Sequence, residues 1–228
     1  MIRRAFSAFT TLAVAIALTI PFGAATASAS TDDYTHLRNY WTQYGVSGQV
    51  QEQLIRSMEA GENPDSMTLE TEPIAVRTVR EGTMETTVLQ YPDGSVSTQS
   101  IQAPRTAGGV SASGISECSV TQGSGWVRYS GCKVSAGNGS IYISFKVTYE
   151  KYSQANAEIK NHGSSNVSAP GGSATDPTVS GQRRVSTRSL EAFVKYHTVF
   201  ERASGGGNED IYLGFWLKWD GTRSSSLS

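Results

Sequence analysis

Two cysteines, three histidines and a scatter of carboxylates are the residues of this chain whose chemistry reaches beyond packing. The histidines are His36, His162 and His197, and no two have the spacing of a zinc protease. Neither a Gly-x-Ser-x-Gly elbow nor a phosphate-binding glycine loop occurs. His197 has Glu201 four residues on, which marks both as possible participants in hydrolysis. Glycoside cleavage needs two carboxylates facing each other across a sugar, one of them held protonated. Glu150, Glu158, Glu191, Glu201, Glu209 and Asp210 lie where neighbouring strands could supply such a pair, but spacing selects none of them. No catalytic, cofactor-binding or metal-binding residue is therefore assigned. A metal site would need more ligands than Cys118 and Cys132, which have no histidine near either.

The two cysteines lie symmetrically about Gly125, and the chain between them reads as strand, Gly123-Ser124-Gly125 turn, strand. A hairpin centred there brings them face to face, within reach of a disulfide. An even count leaves no thiol over, and a redox pair would be spaced Cys-x-x-Cys.

Aromatic residues supply the sharper binding signal. Ile211, Leu213, Phe215, Leu217 and Trp219 share one strand face, which sends Tyr212 and Trp216 to the other. Those two rings stand about 13 Å apart along an extended chain, with Gly214 leaving a gap between them. Flat apolar faces with polar edges suit stacking on sugar rings or gripping a peptide, so Tyr212 and Trp216 form a candidate ligand platform. The competing expectation is that helices cover both rings.

The elements that must position these residues change character along the chain. Residues 30–65 form a helical hairpin: Tyr34, Leu37, Trp41 and Tyr44 recur at helical spacing, with Asp32 or Asp33 as cap and Gly45 as stop. Ser47 caps a second helix with a Val50, Leu54, Ile55, Met58 stripe, closed by Gly61 and Asn63-Pro64. Such a hairpin is too short to bury a core of its own and must dock elsewhere. Residues 66–102 read as short β-strands over 73–80, 84–91 and 95–102, with a turn at Tyr91-Pro92-Asp93-Gly94. Residues 103–114 read as a linker, and 115–228 as an antiparallel β domain containing the disulfide.

Within that domain Ile141, Ile143, Phe145, Val147 and Tyr149 share one face, as do Leu190, Ala192, Val194, Tyr196, Thr198 and Phe200. Strands with one apolar face each need a second layer. The fold class expected is mainly β, an antiparallel β-sandwich-like domain preceded by a small α-helical hairpin. Residues 161–182, rich in Gly, Ser and Asn, read as a long loop.

Residues 1–29 have the three parts of a signal peptide: Arg3-Arg4, an apolar run from about Ala8 to Ile20, and small residues through Ala29, where cleavage is expected. The paired arginines also resemble a twin-arginine export signal, and the sequence leaves the route open. No membrane anchor is expected, because the apolar run is too short to span a bilayer. Losing Arg3 and Arg4 takes the 19 basic residues to 17 against 20 acidic ones, a net charge of −3. That balance gives no electrostatic reason to seek nucleic acid. Export places Cys118 and Cys132 where thiols oxidise.

Two stretches carry a family likeness: Tyr40-Trp41-Thr42-Gln43-Tyr44-Gly45-Val46 running on to Glu59-Ala60-Gly61-Glu62 and Asp65-Ser66, and the Cys118–Cys132 hairpin followed by a β run. They resemble a group of secreted proteins of unknown function from Streptomyces-like actinobacteria. That group commonly has Trp before the Asp-Ser pair, where this chain has Asn63-Pro64. The resemblance implies an exported actinobacterial protein and brings no catalytic residue.

The expectation is thus a secreted, non-catalytic binding or interaction module whose partner is a glycan, a wall polymer or an extracellular protein, with no cofactor. A secreted carboxylate-dependent hydrolase is the first alternative, and a secreted inhibitor or toxin the second.

Overall fold

The structure, a computed structural model, describes residues 34–68, 70–104, 118–153, 156–203 and 207–228. The segment assigned to a signal peptide ending at Ala29, the caps Asp32 and Asp33, and most of the 103–114 linker lie outside those residues.

Helix α1 (Thr35–Gln43) buries Leu37, Tyr40 and Trp41, and Gly45 leaves it with a φ of +80°. Helix α2 (Gly48–Glu59) starts where Ser47 Oγ accepts the Val50 N–H at 3.4 Å, and it buries Leu54 and Ile55. A single turn, α3 (Asp65–Thr68), is an element the sequence reading missed. It is held by its neighbours: Asp93 accepts the Asp65 N–H at 2.8 Å, and Ser95 Oγ accepts the Ser66 N–H at 3.0 Å.

Strands β1 (Ala75–Glu81), β2 (Met84–Gln90) and β3 (Val96–Gln102) follow as an antiparallel meander. The turn between β2 and β3 forms as its residues dictate, with Asp93 Oδ1 accepting the Ser95 N–H and Gly94 at a φ of +84°. Strands β4 (Ser119–Gly123), β5 (Trp126–Gly137), β6 (Tyr142–Tyr152) and β7 (Ala157–Ser168) complete a seven-stranded sheet. Its order is β1-β2-β3-β5-β6-β7, and β4 pairs with β5 beside β3. The second sheet has five strands: β8 (Gly172–Ala174), β9 (Thr178–Arg183), β10 (Ala192–Arg202), β11 (Asn208–Leu217) and β12 (Arg223–Leu227). Its order is β12-β11-β10-β8, with β9 also on β10.

The two antiparallel sheets pack face to face, and short helices precede them. Between the sheets Val134, Phe145, Val147, Tyr149 and Ile159 meet Val194, Phe200, Ile211, Leu213, Phe215 and Leu217, all at 1% exposure or less. A second cluster joins Leu37, Trp41, Leu54, Ile55 and Met67 to Val88 and Val96. The helical hairpin therefore docks on β2 and β3, and the Tyr40 hydroxyl reaches the end of β5, donating to the Gly137 carbonyl at 2.9 Å. Arg202 of β10 clasps this layer to the second sheet, donating to the Met67 carbonyl at 3.2 Å and to its sulfur at 3.4 Å.

Several expectations need correction. Residues 161–182 are not a loop: they lie on β7, β8 and β9, which puts His162 on a strand. Leu190 precedes β10 and is 52% exposed, and Trp219 sits in the turn after β11 at 38% exposed, so neither joins the core. Glu150, one of the carboxylates considered for hydrolysis, is buried at 3% exposed.

The disulfide Cys118–Cys132 is formed, its Cα atoms 4.1 Å apart, although the hairpin is centred half a residue earlier than its symmetry about Gly125 implies. Gly123 faces Trp126, so continuing that register sets Cys118 opposite Gly131. A bulge in β5 between Tyr129 and Cys132, with Gly131 at a φ of +68°, accompanies the displacement of Cys132 into reach. Replacing both cysteines by serine should cost about 3 kcal/mol, the loop-closure value for a ring of about 15 residues. Guanidinium unfolding of the two forms under oxidising conditions measures this, and equal midpoints would show that the bond adds no stability.

Candidate functional site

Two features of the surface could hold a ligand. The first is the outward face of the five-stranded sheet, built by the alternation that buries its other side. In the β10–β11 register Phe193 faces Trp216, Lys195 faces Gly214 and His197 faces Tyr212. Gly214 is no empty gap: a Cβ there would lie 2.0 Å from the Trp216 ring, so the indole lies across the glycine. Tyr212 stacks on the His197 ring with centroids 4.7 Å apart, and the Lys195 ammonium sits 5.2 Å from the Tyr212 centroid. Arg183 of β9 covers Phe193 in the same manner at 5.1 Å. Rings and cations thus alternate along one strip, an arrangement favoured by the quadrupole of each ring. A hollow of about 290 Å³ opens beside Trp216, between Arg183, Leu190, Phe193 and Lys195.

Tyr212 and Trp216 are both partly exposed. The helices pack in the cluster on β2 and β3 and leave this face uncovered among the described residues. Phe193, Lys195 and Arg183 belong to the same strip, and the sequence reading did not join them to the platform. Parity along β10 could have flagged Phe193 and Lys195, but their register on β11 depends on the intervening turn.

The second feature is a cleft of about 600 Å³ between the β2–β3 end of the large sheet and strand β12. Tyr129 and Tyr149 line it, stacked with centroids 4.7 Å apart, and Arg223 donates to the Tyr149 hydroxyl at 2.7 Å. Burial pushes the Tyr149 hydroxyl above its ordinary pKa, and the Arg223 charge and hydrogen bond oppose that rise. Glu85, Thr87 and Gln99 face these residues from β2 and β3. Nothing in the sequence pointed to this cleft.

The carboxylates considered for hydrolysis separate into different settings. Glu150 and Glu158 do oppose each other across β6 and β7. Both accept from the Tyr152 hydroxyl, and Lys160 lies 3.6 Å from Glu150 and 3.0 Å from Glu158. Arg128 adds a charged hydrogen bond to Glu150. Burial raises the pKa of Glu150, but the bonds from Tyr152 and Arg128, with the charges of Arg128 and Lys160, outweigh it and hold the carboxyl below its usual range. A general acid needs the opposite displacement. His197 bonds Asp210 at 2.6 Å rather than Glu201, which lies about 13 Å further along β10 at strand rise. Glu209 pairs with Arg202, and Glu191 lies 3.9 Å from Lys218. Among the described residues no group of three or more His, Cys, Asp and Glu is arranged to hold a metal ion.

Fold and surface together define a two-sheet antiparallel β domain with an aromatic–cationic outer face and a polar side cleft. No family model, curated protein or solved structure matches the chain.

The lowered pKa of Glu150 has a sign. Its contribution to stability is complete above the ordinary carboxyl value of 4.5 and is lost as pH falls through the folded-state value. Glu150→Gln should cost about 2 kcal/mol at neutral pH, the scale of hydrogen bonds to a charged group. It should also flatten the loss of stability on acidification, read from urea unfolding between pH 7 and pH 3. An unchanged slope would mean that other carboxylates carry the acid response.

Proposed function

We propose that this chain is an exported, non-catalytic module that binds a glycan or wall polymer through the outer face of its five-stranded sheet. The observation that carries this reading is the Trp216 indole laid across Gly214, with Tyr212 and Phe193 beside it on a face that the helices leave open. An aromatic ring lying along a sheet offers its face to a flat partner, and sugar rings present C–H groups of matching shape. Lys195, Arg183 and His197 at the margins supply hydrogen bonds to hydroxyl or acidic substituents. The disulfide agrees with an oxidising destination. No helix among the described residues is long and apolar enough to cross a membrane.

The platform reading makes the outer face the retaining surface. The protein purified from culture supernatant should be held by an insoluble wall or polysaccharide fraction, and Trp216→Ala and Tyr212→Ala should each weaken retention about tenfold, since one buried aromatic contact is worth roughly 1–3 kcal/mol. Gly214→Leu should act like Trp216→Ala by displacing the indole, with the unfolding midpoint recording its effect on the fold. Retention untouched by all three changes would remove the platform. Release of soluble fragments from the polymer would replace binding by hydrolysis.

Export makes a separate demand. The N-terminus of the supernatant form should be Ser30, read by Edman or mass-spectrometric sequencing. A secreted form that retains residues 1–29 would refute the processing step.

A further inference from the structure

The side cleft assigns a second ligand to this molecule. We infer that it binds a carboxylate-bearing sugar, the acid group held by Arg223 and the ring held among hydroxyls beside Tyr129.

The charge is the first observation. Arg223 is partly buried at the start of β12, and its guanidinium spends one N–H on the Tyr149 hydroxyl. A guanidinium has five donors in a fixed fork suited to a carboxylate. Among the described residues no carboxylate lies within ion-pair distance of it. The one acid in the lining, Glu85, is committed to Arg80, whose Nη2 lies 2.6 Å from it. A cation left unneutralised in a concave site favours an anionic ligand.

The rest of the lining indicates what carries the anion. Thr87, Gln99, Thr222 and Ser225 bring hydroxyls and an amide, groups that both donate and accept. A polyhydroxylated ring needs that mixture. An apolar peptide side chain would instead need an apolar pocket. Tyr129, backed by the buried Tyr149 on which it stacks, adds aromatic surface with a hydroxyl edge. The volume, about 600 Å³, falls within the ordinary range for small-molecule sites and accommodates two or three sugar residues.

Trp216 of the platform is paired directly with Ser224 of β12, the neighbour of Arg223, so one strand separates platform from cleft. The cleft nevertheless stands on its own observations and does not need the platform to bind.

The test titrates the secreted protein with acidic trisaccharides of galacturonate, of glucuronate and of a lactyl-ether amino sugar, against their carboxyl-reduced neutral counterparts, by calorimetry. At least one acidic trisaccharide should bind, and its neutral counterpart should bind about tenfold more weakly or worse. Arg223→Gln should lose the same factor, whereas Trp216→Ala, which weakens retention on the polymer about tenfold, should keep the preference for the acidic over the neutral trisaccharide. Should Arg223→Gln fold poorly, Thr87→Val and Gln99→Ala test the same cleft, each weakening binding at an unchanged unfolding midpoint. The inference is overturned if no acidic trisaccharide binds at millimolar concentration, if acid and neutral forms bind alike, or if the cleft variants match the wild type. Equal binding of a tri-glutamate peptide would also overturn it, turning the cleft into a peptide site.

Discussion

Everything in this molecule rests on two β faces that cannot be left in water together. The row Val194, Ile211, Leu213, Phe215, Leu217 and the row Val134, Phe145, Val147, Tyr149 are buried almost completely against each other. At roughly 25 cal/mol per Å², burial on this scale dominates every polar contact on the surface. It also dictates which side chains remain for recognition, because strict alternation sends Phe193, Lys195, His197, Tyr212 and Trp216 outward once their neighbours face in. The binding strip is thus the reverse side of the core, fixed by the same strands.

The large sheet does a second job at its fork. Strands β3 and β4 share one edge of β5, with the disulfide and the β5 bulge close to where they part. Beyond that fork β1 to β3 carry the helices on one face and contribute Glu85, Thr87 and Gln99 to the cleft on the other. The N-terminal helices thus support one wall of a site to which none of their own residues belong.

Legibility in the sequence followed apolar contrast. Strands β6, β10 and β11 alternate strongly because one side of each faces the core, and Ser47, Gly45 and Gly61 act as the helix signals their chemistry implies. Strands β7 to β9 were hidden because only Ala157 and Ile159 of them are fully buried, while the rest is mostly small or polar, rich in Gly, Ser and Asn, with few apolar residues to mark a period. Within the candidate sites, Tyr212 and Trp216 were readable from parity against Phe215. Their partners were not, since cross-strand register depends on turn lengths. The cleft was beyond reach for a deeper reason: Gln99, Tyr129 and Arg223 converge from distant points in the chain. The burial of Glu150 is not legible either, because a buried charge looks like any strand carboxylate until Arg128, Tyr152 and Lys160 are placed around it.

The Arg202–Met67 clasp spans 135 positions and has a temporal consequence. A chain emerging N-terminus first would present its helices long before β10 exists to fasten them. Contacts so far apart in sequence are slow to form, because the intervening chain must be ordered before they bring any gain. The helices can seat on β2 and β3 soon after those strands emerge, but the fastening of Met67 to the second sheet waits for β10. The join between the helical layer and the second sheet is therefore the last part to be secured, and until then the part most exposed to proteolysis.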